Sequence, residues 1–135
     1  GELSDAASAL DFLQMQAPNA PSCWVAGFSF GSWIGMQLLM RRPEINGFIA
    51  VSPPANTQDF SFLAPCPSSG LIVHGDKDNI ASFDSTKILV EKLQKQKKVD
   101  IKFKAIKGAD HFYENYSSIF EDSIKEYINN TLNDA

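Results

Sequence analysis

Apolar residues recur along this chain with two spacings, one typical of helices and one typical of strands, and the two alternate. Helical spacing runs from Leu3 to Met15 and ends at the proline-containing segment "APNAP". The short apolar run from Cys23 to Ala26 is typical of a strand that is buried on both faces. A second helical pattern, from Trp33 to Met40, is closed by "RRP". The first part of the chain therefore predicts helix, strand, helix.

The alternation continues to the end of the chain. A β-branched and aromatic run from Phe48 to Val51 stops at two prolines, and the stretch from Ala55 to Ser68 reads as a long loop. The remaining segments are, in order, strand "GLIVHGD", helix "SFDSTKILVEKLQKQKK" with Ser82 or Asp84 as its cap, strand "VDIKFKAIKG" and helix "SSIFEDSIKEYINNTL". Because crossovers of ten or more residues join the strands, we expect an α/β fold with a parallel sheet of about four strands between helices.

Length and charge limit the classes of protein to which the chain can belong. With 135 residues we expect one domain, over residues 1–135. The net charge of −4 argues against a nucleic-acid partner, and the lysines between Lys92 and Lys98 fit the solvated face of a helix. The apolar runs are too short and interrupted to span a bilayer, and no secretion signal begins the chain. We therefore expect a cytoplasmic protein with no membrane partner.

Two cysteines give no disulfide framework. Cys23, inside an apolar run, is interpreted as a packed core thiol, whereas Cys66 lies between two prolines in the long loop. No residue pair has metal-ligand spacing, so the sequence predicts no metal site.

Residues that can serve as nucleophile, acid or base follow three of the predicted strands. Ser29 in "GFSFG" follows the first strand, Asp76 and Asp78 in "HGDKD" follow the third, and His111 in "GADHFY" follows the fourth. Because the carboxyl ends of parallel strands share one edge of a sheet, we expect serine, aspartate and histidine to meet there.

These residue types form a nucleophilic system. A serine hydroxyl needs a base to take its proton, imidazole titrates near neutrality, and a buried carboxylate holds the imidazole in the required tautomer. Ser29, His111 and Asp78 would fill these roles, although Asp76 and Asp110 also lie at the predicted rim. Flanking glycines, Gly27 and Gly31, suit a nucleophile on a tight strand-to-helix turn. We interpret His74, at the end of an apolar strand, as structural.

The motifs "GFSFGSW", "HGDKDNI" and "GADHFY" resemble the α/β-hydrolase superfamily, and most closely the small dienelactone-hydrolase-like hydrolases. The resemblance runs from about Ala6 to the end of the chain. It implies a nucleophile elbow at Ser29, selects Asp78 rather than Asp76 as the acid, and makes the amide of Phe30 one donor of the oxyanion hole. Dienelactone hydrolases proper use a cysteine nucleophile, so Ser29 points to ester hydrolysis of the serine type.

The resemblance also implies that this chain lacks part of the family's fold. A whole α/β-hydrolase has further strands ahead of the elbow, together with the loop that supplies the second oxyanion amide. The chain therefore resembles the C-terminal half of that fold. We expect the strand that contains Cys23 to be an open edge, and the chain to form a homo-oligomer or to pair with a missing N-terminal segment.

The resulting hypothesis is a carboxylesterase-like serine hydrolase that cleaves small-molecule esters or thioesters without a cofactor. Two alternatives stay open: a hydrolase-like binding module that lacks catalysis, and the C-terminal part of a related serine peptidase. Phe28 and Phe30 either wall an acyl pocket or cover the elbow. Together with Phe60 and Phe62 in the long loop, Phe28 is a candidate for lining the substrate pocket.

Overall fold

The computed structural model describes residues 1–133, which fold into helices and strands in the predicted order. The elements are α1 (Glu2–Gln16), β1 (Trp24–Phe28), α2 (Phe30–Arg41), β2 (Gly47–Val51), a 3-10 turn (Ser61–Leu63), β3 (Gly70–Gly75), α3 (Phe83–Gln94), β4 (Ile101–Ile106) and α4 (Ser117–Asn133). The first strand begins one residue later than expected and runs two residues further, to the residue before Ser29. Within this range, no helix is both long and apolar enough to cross a membrane.

The four strands form one parallel sheet in the order β1-β2-β3-β4. Every residue of β2 and of β3 is buried, which explains why these two strands read as continuous apolar runs. The predicted parallel sheet with flanking helices is therefore confirmed.

Alternate residues of the central strands contribute to two hydrophobic cores on opposite faces of the sheet. Phe48 and Ile72 belong to the core that α1, α2 and α3 cover. Ile49 and Val73 belong to the core that α4 covers through Phe120 and other side chains. This division follows from the period of two, because successive side chains of a strand point to opposite faces of the sheet.

The long connection between β2 and β3 contributes to the core, which the sequence did not indicate. Phe60, Leu63 and Cys66 are each at most 5% exposed and lie in the core beneath α2 and α3. Cys66 is thus buried, whereas Cys23, interpreted from the sequence as a core thiol, packs against this core but is only half-buried. The reason is that the loop folds onto the sheet, whereas Cys23 precedes an edge strand.

The two edge strands differ in how they are protected against pairing with another strand. β4 presents exposed Lys102 and Lys104, and charged side chains discourage pairing with another strand. β1 lies at the other edge of the sheet that residues 1–133 form, and its exposed positions are Ala26 and Phe28. Pairing of this edge with another chain or segment stays a prediction.

Candidate active site

Ser29 occupies a sharp turn between β1 and α2. Its φ of 55° and ψ of −122° are unusual for a residue with a side chain, and such backbone costs on the order of 1–3 kcal/mol. The turn is held on both sides: the N–H of Ser29 donates to Val51 O at 2.8 Å, and its carbonyl accepts from Ser32 N at 2.9 Å and from Ser32 Oγ at 2.6 Å. The strained backbone therefore holds the Ser29 hydroxyl at the carboxyl edge of the sheet.

Of the two flanking glycines, only Gly27 has a steric reason to be glycine. A Cβ at Gly27 would overlap the carbonyl of Gly31 and lie 2.7 Å from Ser32 Cα, because β1 and α2 are in backbone contact there. A Cβ at Gly31 would meet no atom of the described chain within 4 Å. The sequence expectation that both glycines are needed is therefore wrong for Gly31.

We expect Gly27→Ala to lower the free energy of unfolding by roughly 1–3 kcal/mol, because backbone atoms cannot move aside easily. Gly31→Ala is the matched control. It should be neutral or stabilising by up to about 1 kcal/mol, since alanine is the better helix former. Urea unfolding of the two variants measures both values, and equal losses would contradict the assigned contact.

His111 connects the serine to a carboxylate. The ring is 3% exposed, its Nε2 lies 3.0 Å from Ser29 Oγ, and its Nδ1 lies 2.7 Å from Asp78 Oδ2. An ionised carboxylate can only accept, so Nδ1 carries the proton and Nε2 is free to accept from the Ser29 hydroxyl. This is the tautomer that a general base requires.

The loop that carries His111 is anchored by two residues that sequence reasoning did not single out. Tyr113 has a φ of 56°, and its buried hydroxyl donates to Val73 O at 3.2 Å. Ser52 Oγ lies 2.8 Å from the Tyr113 hydroxyl and 3.3 Å from His111 O. Burial raises the pKa of Tyr113 to about 12, so it remains a hydrogen-bond donor. Ser52 directly follows β2, so a search of all strand ends would have found it.

Asp78 is the rim aspartate that faces the histidine. Its side chain is fully buried, and its Oδ1 accepts from the amides of Ile80 at 2.9 Å and Ala81 at 2.8 Å. Asp76 instead accepts from Gly108 N at 2.7 Å, and Asp110 accepts from Glu114 N at 3.0 Å. These two carboxylates therefore stabilise turns.

His74 lies beneath the site and is fully buried. Its Nε2 lies 2.8 Å from Ala81 O and 3.2 Å from Asp78 Oδ2. Within residues 1–133, its Nδ1 has no hydrogen-bond partner. Burial lowers the pKa of His74, which keeps the ring neutral near neutral pH.

This lowered pKa predicts a loss of stability in acid. Below about pH 6.5 the unfolded chain protonates His74 while the folded chain does not, so the free energy of unfolding falls as the pH falls. In His74→Gln this contribution is absent, and the decline should be shallower. Urea unfolding of both proteins across that range tests the difference, because His111 and the carboxylates are common to both. Identical slopes would contradict a buried neutral His74.

Two aromatic rings lie against the imidazole of His111. The rings of Phe28 and Phe112 lie 5.1 and 5.0 Å from the imidazole and 5.9 Å from each other. Phe28 is 43% exposed and Phe112 is 65% exposed. Phe30 points to Trp33, with ring centroids 5.6 Å apart. Sequence reasoning had singled out Phe28 and Phe30 but not Phe112.

Phe60 and Phe62, the two loop candidates for the pocket, have other surroundings. Their rings stack at 6.1 Å, Phe60 is buried in the core, and Phe62 packs against the same core. Phe60 also lines an open cleft of about 400 Å³ beside α3, which none of Ser29, Asp78 and His111 lines. The structure therefore assigns these two rings to core packing.

Comparison with known proteins gives a family match and several similar chains. Residues 2–133 match the dienelactone hydrolase family. An uncharacterized protein of Rickettsia prowazekii is 53% identical over 132 residues, which are 95% of this chain and 56% of that protein. A protein of unknown function from Agrobacterium tumefaciens, solved by crystallography, has 55% identity and a TM-score of 0.95, with 98% of this chain and 61% of that chain covered.

A more distant structure is that of an alpha-beta serine hydrolase homologue from Coxiella burnetii. It has 26% identity and a TM-score of 0.79, and the match covers 89% of this chain and 55% of that chain. The chain thus spans little more than half the length of these three proteins.

Proposed function

The chain belongs to the dienelactone hydrolase family, and from this premise we propose that it is a serine hydrolase that cleaves carboxylic esters or thioesters through an acyl-enzyme on Ser29. One observation carries the proposal: the continuous hydrogen-bonded series from Ser29 Oγ through both nitrogens of His111 to Asp78. Membership of the family supports hydrolysis as the reaction. The hydrogen-bonded series supports Ser29 as the nucleophile and His111 as its base.

The proposed reaction has two halves. Ser29 Oγ attacks the carbonyl carbon while His111 Nε2 takes the hydroxyl proton, and Asp78 stabilises the imidazolium that forms. His111 then gives that proton to the leaving alcohol or thiol as the ester bond breaks. In the second half, water attacks the acyl carbon and gives a proton to His111. His111 then passes this proton to Ser29 Oγ as the bond from Oγ to the acyl carbon breaks, which releases the carboxylic acid and restores Ser29 and His111.

The oxyanion of the tetrahedral intermediate would be stabilised by the N–H of Phe30. This amide is the first of α2, and the first amides of a helix have no partner inside the helix. The positive end of the helix dipole adds to its attraction for negative charge. One such donor contributes about 10²- to 10³-fold to turnover.

A fluorophosphonate probe tests the proposal. We expect a single adduct on the whole chain, which peptide mapping by mass spectrometry locates at Ser29. The second candidate, a binding module without catalysis, is favoured by the open edge of β1 in the sheet that residues 1–133 form. It predicts no adduct, and an adduct at any other serine would overturn the serine-hydrolase proposal.

The exposed rings of Phe28 and Phe112 favour esters with an apolar acyl or alcohol group, because an apolar group laid against these rings leaves water. We expect Phe112→Ala to raise KM roughly two- to tenfold for an ester with an apolar chain, and to leave KM for a short acetate ester nearly unchanged. Phe12→Ala is the matched control, since Phe12 is 60% exposed on α1. An equal effect on both esters would contradict this role of Phe112.

A further inference from the structure

The backbone of His111 is held by one side chain that has no part in the mechanism described above. Within residues 1–133, the hydrogen bond to this backbone comes from Ser52 Oγ, which donates to His111 O at 3.3 Å. Ser52 is fully buried and His111 is 3% exposed. A carbonyl that is shielded from water needs a donor, and Ser52 supplies it. The hydroxyl of Ser52 therefore holds the main chain from which the imidazole projects.

Tyr113 determines where the hydroxyl of Ser52 points. The Tyr113 hydroxyl lies 2.8 Å from Ser52 Oγ and 3.2 Å from Val73 O. Val73 O already accepts from Ser52 N at 2.8 Å, whereas His111 O has no other donor among the described residues. Every polar group is satisfied when Tyr113 shares its proton between its two neighbouring oxygens and Ser52 gives its own proton to His111 O.

Backbone strain occurs at these same residues. Among the residues that the structure describes, four other than glycine have a positive φ, and three of them are Ser29, Ser52 at 51° and Tyr113 at 56°. A bulky side chain such as that of tyrosine rarely adopts this backbone, and strain of this kind persists only where the surrounding structure enforces it. Strained backbone is thus retained at the nucleophile and at both residues that hold the base.

Core packing accounts for the ring of Tyr113 but not for the two hydroxyls. The ring stacks on Phe120 with centroids 4.5 Å apart, in the core that α4 covers, and phenylalanine would make the same stack. Each buried hydroxyl gives up hydrogen bonds to water and adds nothing to apolar packing. What the two hydroxyls supply together is a directed hydrogen bond to the carbonyl of the base.

We propose that Ser52 is a positioning residue, whose hydroxyl, oriented by that of Tyr113, fixes the backbone of His111 so that Nε2 stays within reach of Ser29 Oγ. In the acyl-enzyme the Ser29 hydroxyl has lost its proton, and Asp78 is then the only side chain that holds the ring by a nitrogen. A ring held at one nitrogen can turn about that contact, and a fixed backbone opposes this. The consequence for turnover rests on the proposed serine-hydrolase function, whereas the placement of His111 does not.

Two variants of the whole chain, each lacking one buried hydroxyl, test the proposal. Ser52→Ala removes the donor to His111 O. Thr86→Val is the matched control, because Thr86 is also fully buried and its hydroxyl donates to a different backbone carbonyl, Pro53 O, at 3.1 Å. In Ser52→Ala we expect the far-downfield proton resonance of His111 Nδ1–H to broaden, and the rate of fluorophosphonate labelling at Ser29 to fall on the order of tenfold. In Thr86→Val both should stay close to wild type.

The comparison separates positioning from stability. If both variants are folded by circular dichroism and share one resonance line width and one labelling rate, Ser52 only stabilises the fold and the proposal is overturned. If the wild-type chain takes no label, the serine-hydrolase function is refuted, and the resonance in the two variants decides the role of Ser52.

Tyr113→Phe gives a second test, which decides if Ser52→Ala does not fold. It keeps the stack with Phe120 but lacks the hydroxyl that orients Ser52. We expect it to broaden the same resonance and to lower the labelling rate roughly two- to fivefold. A folded Tyr113→Phe protein with the wild-type resonance and labelling rate would overturn the proposal.

Discussion

Ser29→Ala should lower kcat for ester hydrolysis by about 10⁴- to 10⁶-fold, because it removes the hydroxyl that His111 Nε2 would activate for attack on the ester. Alanine keeps the Cβ of serine, so the strained turn at φ 55° and the backbone contact between β1 and α2 are unchanged. The variant should therefore unfold at the same urea concentration as the wild-type protein.

The control for this loss is Ser123→Ala on α4, where the exposed hydroxyl donates only to Ile119 O, one turn back along the helix. Its turnover should equal that of the wild-type chain. Initial rates with a chromogenic ester measure both variants. A Ser29→Ala protein that retains more than about a hundredth of the activity would show that another residue is the nucleophile.

Asp78→Asn should lower kcat by about 10⁴-fold through the tautomer of His111. The amides of Ile80 and Ala81 require an acceptor at the Oδ1 position, so the amide nitrogen of the asparagine must take the Oδ2 position. There it presents N–H groups to His111 Nδ1, which must give up its proton to accept one. His111 then carries its proton on Nε2, and this nitrogen can no longer accept from Ser29.

Asp76→Asn is the matched control. The Oδ1 of Asp76 accepts from Gly108 N, and an asparagine oxygen accepts the same bond, so turnover should stay within a few-fold of wild type. Steady-state rates of the two variants, together with their urea midpoints, make the comparison. A larger loss in Asp76→Asn than in Asp78→Asn would reverse the assignment of the two carboxylates.

The order of the elements could be predicted because each element carries its own signal. β2 and β3 are buried on both faces and so are continuously apolar, and the helices repeat with the period of their packed faces. The cap of α3 was also predicted, and Ser82 is the residue that accepts from Ser85 N, at 3.1 Å. Each of these properties depends on neighbouring residues in the chain, so it can be predicted from the sequence.

The meeting of Ser29, Asp78 and His111 could be predicted because parallel strands bring their carboxyl ends to one edge. The residues alone did not decide between Asp76, Asp78 and Asp110, since all three lie at that edge. Only the fold of the turn after β3, in which Ile80 and Ala81 hold Asp78, separates them. The family resemblance selects Asp78, and Asp78 Oδ2 lies 2.7 Å from His111 Nδ1, but its role as the catalytic acid stays a prediction.

Other features depend on contacts between distant segments, and the sequence did not show them. Phe112 reaches the site because the histidine loop turns back on β1, where Phe28 lies. The core position of Phe60 depends on the long loop folding over the sheet. His74 was expected to be structural, and its contact with Asp78 depends on a turn that brings the chain back over the strand.

The hydroxyl of Ser29 and the imidazole of His111 are 82 positions apart in the chain, and the carboxylate of Asp78 is 33 positions from that imidazole. No local segment can bring them together, so the reactivity that we propose for Ser29 requires the assembled sheet of β1, β2, β3 and β4. Under that proposal, covalent labelling of Ser29 would also report on folding. In a denaturant series, the labelled fraction would follow the population of assembled sheet, even in a crude mixture where no spectroscopic signal of this one chain could be separated.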